Sequence, residues 1–69
     1  MEYIENCVQQ FRKERGITQE ACADGVGVTR QTIIAIERGN YTPSITLALK
    51  LAAYFDVPVE TLFAIKKKK

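Results

Sequence analysis

Histidine is absent from this 69-residue chain, and with it the side chain most often used as a general base near neutral pH. Cysteine occurs twice, at Cys7 and Cys22, with no Cys-x-x-Cys spacing. The usual zinc arrangements are therefore excluded, and neither thiol has a visible activating partner. Both read as small buried hydrophobes rather than a disulfide or redox pair. No apolar run approaches the roughly 18 residues of a membrane span, and the N-terminus lacks the basic-then-apolar pattern of a secretion signal. These gaps point away from an enzyme, a metal protein and a membrane protein. What remains is a cytosolic chain with no cofactor and no evident small-molecule effector.

A basic body is lacking as well. The formal net charge is +2, but four of the ten basic residues are the terminal lysines 66–69, and without them six basic residues face eight acidic ones, leaving −2. Any contact with nucleic acid must then rest on where charge is placed, not on its total. The expected organisation is one domain over residues 1–65 and a disordered basic tail over 66–69. The alternative for the tail is a non-specific contact with phosphate or an acidic membrane.

What is present is helical periodicity. Helix one is expected over residues 4–15, with Ile4, Val8 and Phe11 on one face and Gly16 stopping it. Thr18 then stands as N-cap of a helix over 19–26 with Cys22, Ala23 and Val26 inward. Gly25 costs that helix about 1 kcal/mol relative to alanine, so it must borrow stability from packing. Gly27 and Val28 lead to a second cap, Thr29, and a helix over 30–38 with Ile33 and Ile36 inward and Gly39 closing it. Pro43 and Ser44 mark a loop and a third cap. Helix four is expected over 45–55, with Ala48, Leu51, Ala52 and Phe55 inward. After a break at 56–58, a short helix over 59–63 presents Leu62 and Phe63 to the body. No strand pattern of any length is visible, apart from a possible extended stub at 64–66.

Two short helices joined by three residues carry a recognisable steric pattern. Counting from Gln19, small Ala23 falls at the fifth position, Gly27 at the ninth, Val28 at the tenth, Ile33 at the fifteenth and Ile36 at the eighteenth. The fifth must be small where the helices touch, the ninth must turn, and the others fill the angle between them. This pattern resembles the DNA-binding helix-turn-helix. The stretches TQE at 18–20, GVTRQTI at 27–33, IERG at 36–39, YTPS at 41–44 and LALKLA at 47–52 look like the Cro and cI-type repressors of the xenobiotic-response-element family. The likeness is greatest to their short stand-alone members and covers about residues 4–63. Three positions depart from the family: Cys22 where leucine is common, Gly25 where a bulkier residue is usual, and Pro58 where serine or threonine often caps the last helix.

The resemblance implies an all-α, compact five-helix, lambda-repressor-like domain with helix three in the major groove and helix two crossing above the backbone. On the outward side of helix three lie Arg30, Gln31, Ile34, Ala35 and Arg38. Arginine matches guanine O6 and N7, and glutamine matches adenine N6 and N7, so Arg30 and Gln31 are the leading base readers. Ala35 and the methyl of Thr29 or Thr32 suit a thymine methyl, although Thr32 and Ile34 are equally open to a plain surface role. No acidic residue occupies positions 30, 31 or 38, which argues against a fold-alike that has become a protein-interaction module. Phosphate contacts are expected from Gln19, at a helix N-terminus that already favours anions, and from Arg38, Asn40 and Tyr41, with Tyr41 also open to a packing role. The family pairs an arginine late in helix one with a glutamate late in helix three, and Arg12 and Glu37 occupy those positions.

A single module of this size reads only a few base pairs, so a homodimer on a palindromic operator is expected. Apolar side chains beyond the needs of one small core, namely Leu49, Tyr54, Val59, Leu62, Phe63 and Ile65, are the candidate interface. The expected function is transcriptional regulation by binding double-stranded operator DNA, with repression preferred.

Overall fold

Hydroxyl groups start the three longest helices. The structure, a computed structural model, describes residues 1–67. Thr18 Oγ1 accepts from the Ala21 N–H at 3.0 Å ahead of α2 (Gln19–Val26), and Thr29 Oγ1 accepts from the Thr32 N–H at 3.4 Å ahead of α3 (Arg30–Glu37). Ser44 Oγ accepts from the Leu47 N–H at 3.1 Å ahead of α4 (Ile45–Phe55). Each bond satisfies one of the donors that a helix start leaves free. The remaining elements are β1 (Glu2–Asn6), α1 (Val8–Glu14), α5 (Val59–Leu62) and β2 (Phe63–Lys67); of these, β1 and α1 precede α2.

The reversal between α2 and α3 depends on Gly27, which has φ 76°. Its N–H and that of Val28 return to the carbonyls of Asp24 and Ala23 at 3.3 and 3.0 Å, the paired closure of a Schellman turn, in which a side chain at the left-handed residue would be strained. Ala23 is buried where α2 meets α3. Around it the core gathers Val8, Cys22, Val26, Ile33, Ile36, Leu47, Leu51, Ala52, Phe55 and Leu62. Leu47 takes the inward position expected of Ala48, which is half-buried. Both cysteines are free thiols. Cys22 lies fully inside, and burial pushes its thiol pKa up, so it remains protonated and inert. Arg15, at the end of α1, lies 5.1 Å from the Phe11 ring centroid and 5.5 Å from that of Phe55. It also donates to the Phe55 carbonyl at 3.0 Å, placing a cation at the C-terminal end of α4.

The all-α expectation needs correcting. The five helices are accompanied by a two-stranded antiparallel sheet in which β1 pairs with β2, with Glu2 opposite Lys67, Ile4 opposite Ile65 and Asn6 opposite Phe63. Ile4 therefore lies in a strand, not on the inner face of helix one. α1 starts four residues later than expected because the Asn6 side chain accepts from the Val8 N–H at 3.1 Å, a local turn that competes with helix at this point. The domain boundary expected after residue 65 falls inside β2, where Lys66 pairs with Tyr3. Lys68 and Lys69, the rest of the expected tail, lie outside the described residues. Leu62 is fully enclosed by its own chain, so it is a core residue and not an interface side chain.

Gly25 gains a reason that its helix propensity conceals. A Cβ built on it would sit inside van der Waals distance of the Tyr54 ring, which itself packs edge-on against Phe55 with centroids 5.2 Å apart. The residue that weakens α2 locally is the one that lets α4 pack against it. Gly25→Ala is expected to lower stability by about 1 to 3 kcal/mol through overpacking. In a Tyr54→Ala background the same change should raise stability by about 1 kcal/mol. Urea unfolding of the four proteins measures this, and equal effects in both backgrounds would dismiss the ring contact as the cause.

Candidate nucleic-acid interface

α3 has two unlike sides. Ile33 and Ile36 are fully buried, whereas Arg30, Gln31 and Arg38 are exposed and Thr32, Ile34 and Ala35 are half-buried. This division follows from helical spacing: the inward pair sits three residues apart, and the polar positions occupy the remaining arc. Thr29 is exposed with its hydroxyl engaged, since it caps α3 and lies 3.2 Å from Thr32 Oγ1.

The inner side is anchored by charge. Glu37 accepts from Arg12 Nε at 2.7 Å and from Arg12 Nη2 at 3.2 Å, a two-point grip matched to the planar guanidinium. Arg12 Nη1 donates to the Ile17 carbonyl at 2.9 Å, and Gln19 Nε2 donates to Glu37 Oε1 at 3.1 Å. The Arg12 and Glu37 side chains are only 10% and 2% exposed. The hydrogen bond to Glu37 raises the Arg12 pKa above its already high value, with desolvation opposing it, so the guanidinium stays charged at any pH the fold will meet. α1, the loop before α2, α2 and α3 meet at this one cluster.

Gln19 thus has a role in the scaffold that the sequence did not reveal. One amide hydrogen is committed to Glu37, and one remains to donate elsewhere. Gln19, Arg30, Ile34, Glu37 and Arg38 line one surface cleft together with Gln9. An adjoining cleft brings Gln9, Arg12, Lys13, Thr18, Gln19, Glu20 and Arg30 together. With Arg12 and Glu37 offsetting each other, Lys13, Arg30 and Arg38 outweigh Glu20 along this rim. A fold whose described residues carry eight basic and eight acidic side chains therefore presents a locally positive edge beside the outer face of α3. Gln9 and Lys13 were missed from sequence because they are ordinary exposed residues of α1, and only its packing against α2 and α3 puts them here. Asn40 and Tyr41 are exposed in the loop after α3, outside these two clefts. On the far side of Arg38, the five residues of β1 face Glu37, Arg38, Gly39 and Thr42 across a third cleft, and Glu2 and Glu5 bound the positive edge there. Among the described residues no group of three or more acidic or cysteine side chains could hold a metal ion, and no helix is long and apolar enough to cross a membrane.

The profile of the helix-turn-helix family matches residues 8–62. The chain is 47% identical over 60 residues to the HTH-type transcriptional regulator MJ0272 of Methanocaldococcus jannaschii, covering 87% of this chain and 91% of that protein. It is 36% identical over 55 residues to the cryptic phage CTXphi transcriptional repressor RstR of Vibrio cholerae, covering 80% of this chain and half of RstR. Among solved structures it resembles the N-terminal DNA-binding domain of SinR from Bacillus subtilis, with TM-score 0.72 and 36% identity over 78% of this chain and 80% of that one.

Removing one member of the buried pair leaves an uncompensated charge or donor set inside the fold. Glu37→Ala is expected to cost about 3 to 5 kcal/mol in urea unfolding, while the apolar pair Arg12→Met with Glu37→Leu should recover most of that loss. A cost below about 1 kcal/mol for Glu37→Ala would show the pair to be no more than a surface contact.

Proposed function

The chain belongs to the helix-turn-helix family of transcriptional regulators of the Cro/cI type, and from that premise we propose that it represses transcription in the cytoplasm by occupying a palindromic operator as a homodimer. The observation that carries this reading is the division of α3: its inner side is locked by Ile33, Ile36 and the Glu37 cluster, and its outer side is free for a duplex. A rigid, half-exposed rod of this kind suits the major groove, which admits one helix.

Arg30 and Gln31 read base edges near the N-terminus of α3, with Ala35 and the methyls of Thr29 and Thr32 against thymine. Gln19, Arg38, Asn40 and Tyr41 hold phosphates and set the register. The locally positive edge supports these roles. Repression draws on the likeness to RstR and on steric logic, since a dimer seated on a promoter excludes other proteins from it.

Two copies are needed because one module covers too few base pairs. Support for self-association comes from apolar groups left in solvent: Leu49 and Ile65 are 54% and 65% exposed. Tyr54, Val59 and Phe63 are half-buried beside the core and could complete such a surface. The dimer would set two copies of α3 about 34 Å apart, one turn of DNA.

Selection of bound duplexes from random DNA tests the reading as a whole, and failure to bind any duplex at low salt would end it in favour of a protein-interaction module. On the selected duplex, Arg30→Ala should cost about 1 to 3 kcal/mol and relax preference at one position. Equal losses on selected and scrambled DNA would remove Arg30 as a base reader. Arg38→Ala should lower the slope of log K against log salt by about 1, and an unchanged slope would remove it as a phosphate contact. In sedimentation, Leu49→Asp with Ile65→Asp should give monomers from a dimeric parent, and a monomeric parent refutes the dimer.

A further inference from the structure

Asn6 stands at the junction of β1 and α1 and makes two side-chain bonds of opposite polarity. Its Oδ1 accepts from the Val8 N–H at 3.1 Å, and its Nδ2 donates to the carbonyl of Ile36 at 2.9 Å, thirty residues away at the end of α3. The first bond opens α1. The second reaches away from α1 to α3.

The Ile36 carbonyl also accepts from the Gly39 N–H at 3.0 Å, while the Asn40 N–H returns to the Ala35 carbonyl at 2.9 Å, so the chain leaves α3 through a Schellman turn with Gly39 at φ 79°. Asn6 occupies the remaining acceptor site of a carbonyl inside that turn. Arg38 lies within that turn as the C-cap residue of α3, Asn40 closes it and Tyr41 follows. They are exposed, so the turn, not their own packing, sets the direction they take.

One tether fixes a point on a helix, and a second fixes its direction. The Arg12–Glu37 grip ties this end of α3 to α1, and the Asn6–Ile36 bond ties it to β1. Asn6 is itself held in place: it pairs with Phe63 of β2, and the next residue, Cys7, donates its N–H to the Leu62 carbonyl at 2.9 Å. The sheet is thereby hydrogen-bonded to the exit of the recognition helix through the Asn6 amide.

We propose that Asn6 is a positioning residue for DNA contact, whose bond to the Ile36 carbonyl sets the exit of α3 and so aims Arg38, Asn40 and Tyr41 at the phosphates. The proposal rests on the DNA-binding reading above. It separates from a purely local turn-forming role through the choice of variant. Asn6→Ser keeps a neutral oxygen able to accept from the Val8 N–H but is too short to reach Ile36; Asn6→Ala loses both bonds.

The test uses the full chain, the duplex selected by the parent protein, and urea unfolding alongside. Asn6→Ser should unfold earlier than the parent by about the worth of the one bond it loses, and Asn6→Ala earlier still. Both should bind the selected duplex about two- to tenfold more weakly, the span of one neutral hydrogen bond. In the free protein, both should move the Ile36 carbonyl-carbon resonance and the amide peaks of residues 38–41. If the parent binds DNA and Asn6→Ser binds equally well with those resonances in place, the positioning role is overturned and Asn6 serves only the turn before α1. A parent that binds no duplex overturns the DNA reading itself, a different result, and takes this role with it.

Discussion

The fold turns on the buried contact between Arg12 and Glu37. Two opposite charges are taken out of water, which is costly unless every donor and acceptor finds a partner. Here Glu37 receives two bonds from Arg12 and one from Gln19, and the remaining arm of Arg12 reaches the Ile17 carbonyl. The cluster is dense enough to hold charge in the interior, and it draws on three helices and the loop between two of them. A purely apolar contact between α1 and α3 would bury area without fixing rotation. The directional bonds at Glu37 hold α3 in one orientation, so its outer face is presented as a fixed surface.

That fixity explains how a chain with little net charge can offer a positive edge. Glu37 would otherwise subtract from the charge beside α3. Bound to Arg12, it contributes little field outward, and Lys13, Arg30 and Arg38 are left to define the rim. The acidic residues of β1 lie beyond Arg38, at the border of that surface. Placement of charge, rather than its total, gives the helix-turn-helix its polarity.

Much of this was legible in the residues. Thr18, Thr29 and Ser44 were readable as caps because capping is local chemistry within three residues, and each accepts the expected type of bond. Ile33, Ile36, Leu51 and Phe55 were readable as core because helical period alone puts them on one side. The sheet was not legible. Glu2–Asn6 and Phe63–Lys67 are each too short to declare themselves, and each is a strand only because the other lies beside it at the far end of the chain. Leu62 looked like a surplus hydrophobe for the same reason: the enclosure that makes it core comes from elements distant in sequence. The site divides likewise. The outward placing of Arg30 and Gln31 followed from position on α3, whereas the bond of Gln19 to Glu37, the reach of Asn6 to Ile36, and the approach of Gln9 and Lys13 depend on how helices pack.

The sequence by itself determined the helices, their caps, the tight turn at Gly27 and the outward side of α3, because all of these arise from interactions within a few residues. Only the tertiary structure decided the β1–β2 pairing, the fit of Tyr54 over Gly25 and the two tethers that hold α3. Those contacts join residues 25 or more positions apart, and for them the chain supplies chemical capability while packing alone selects the partner.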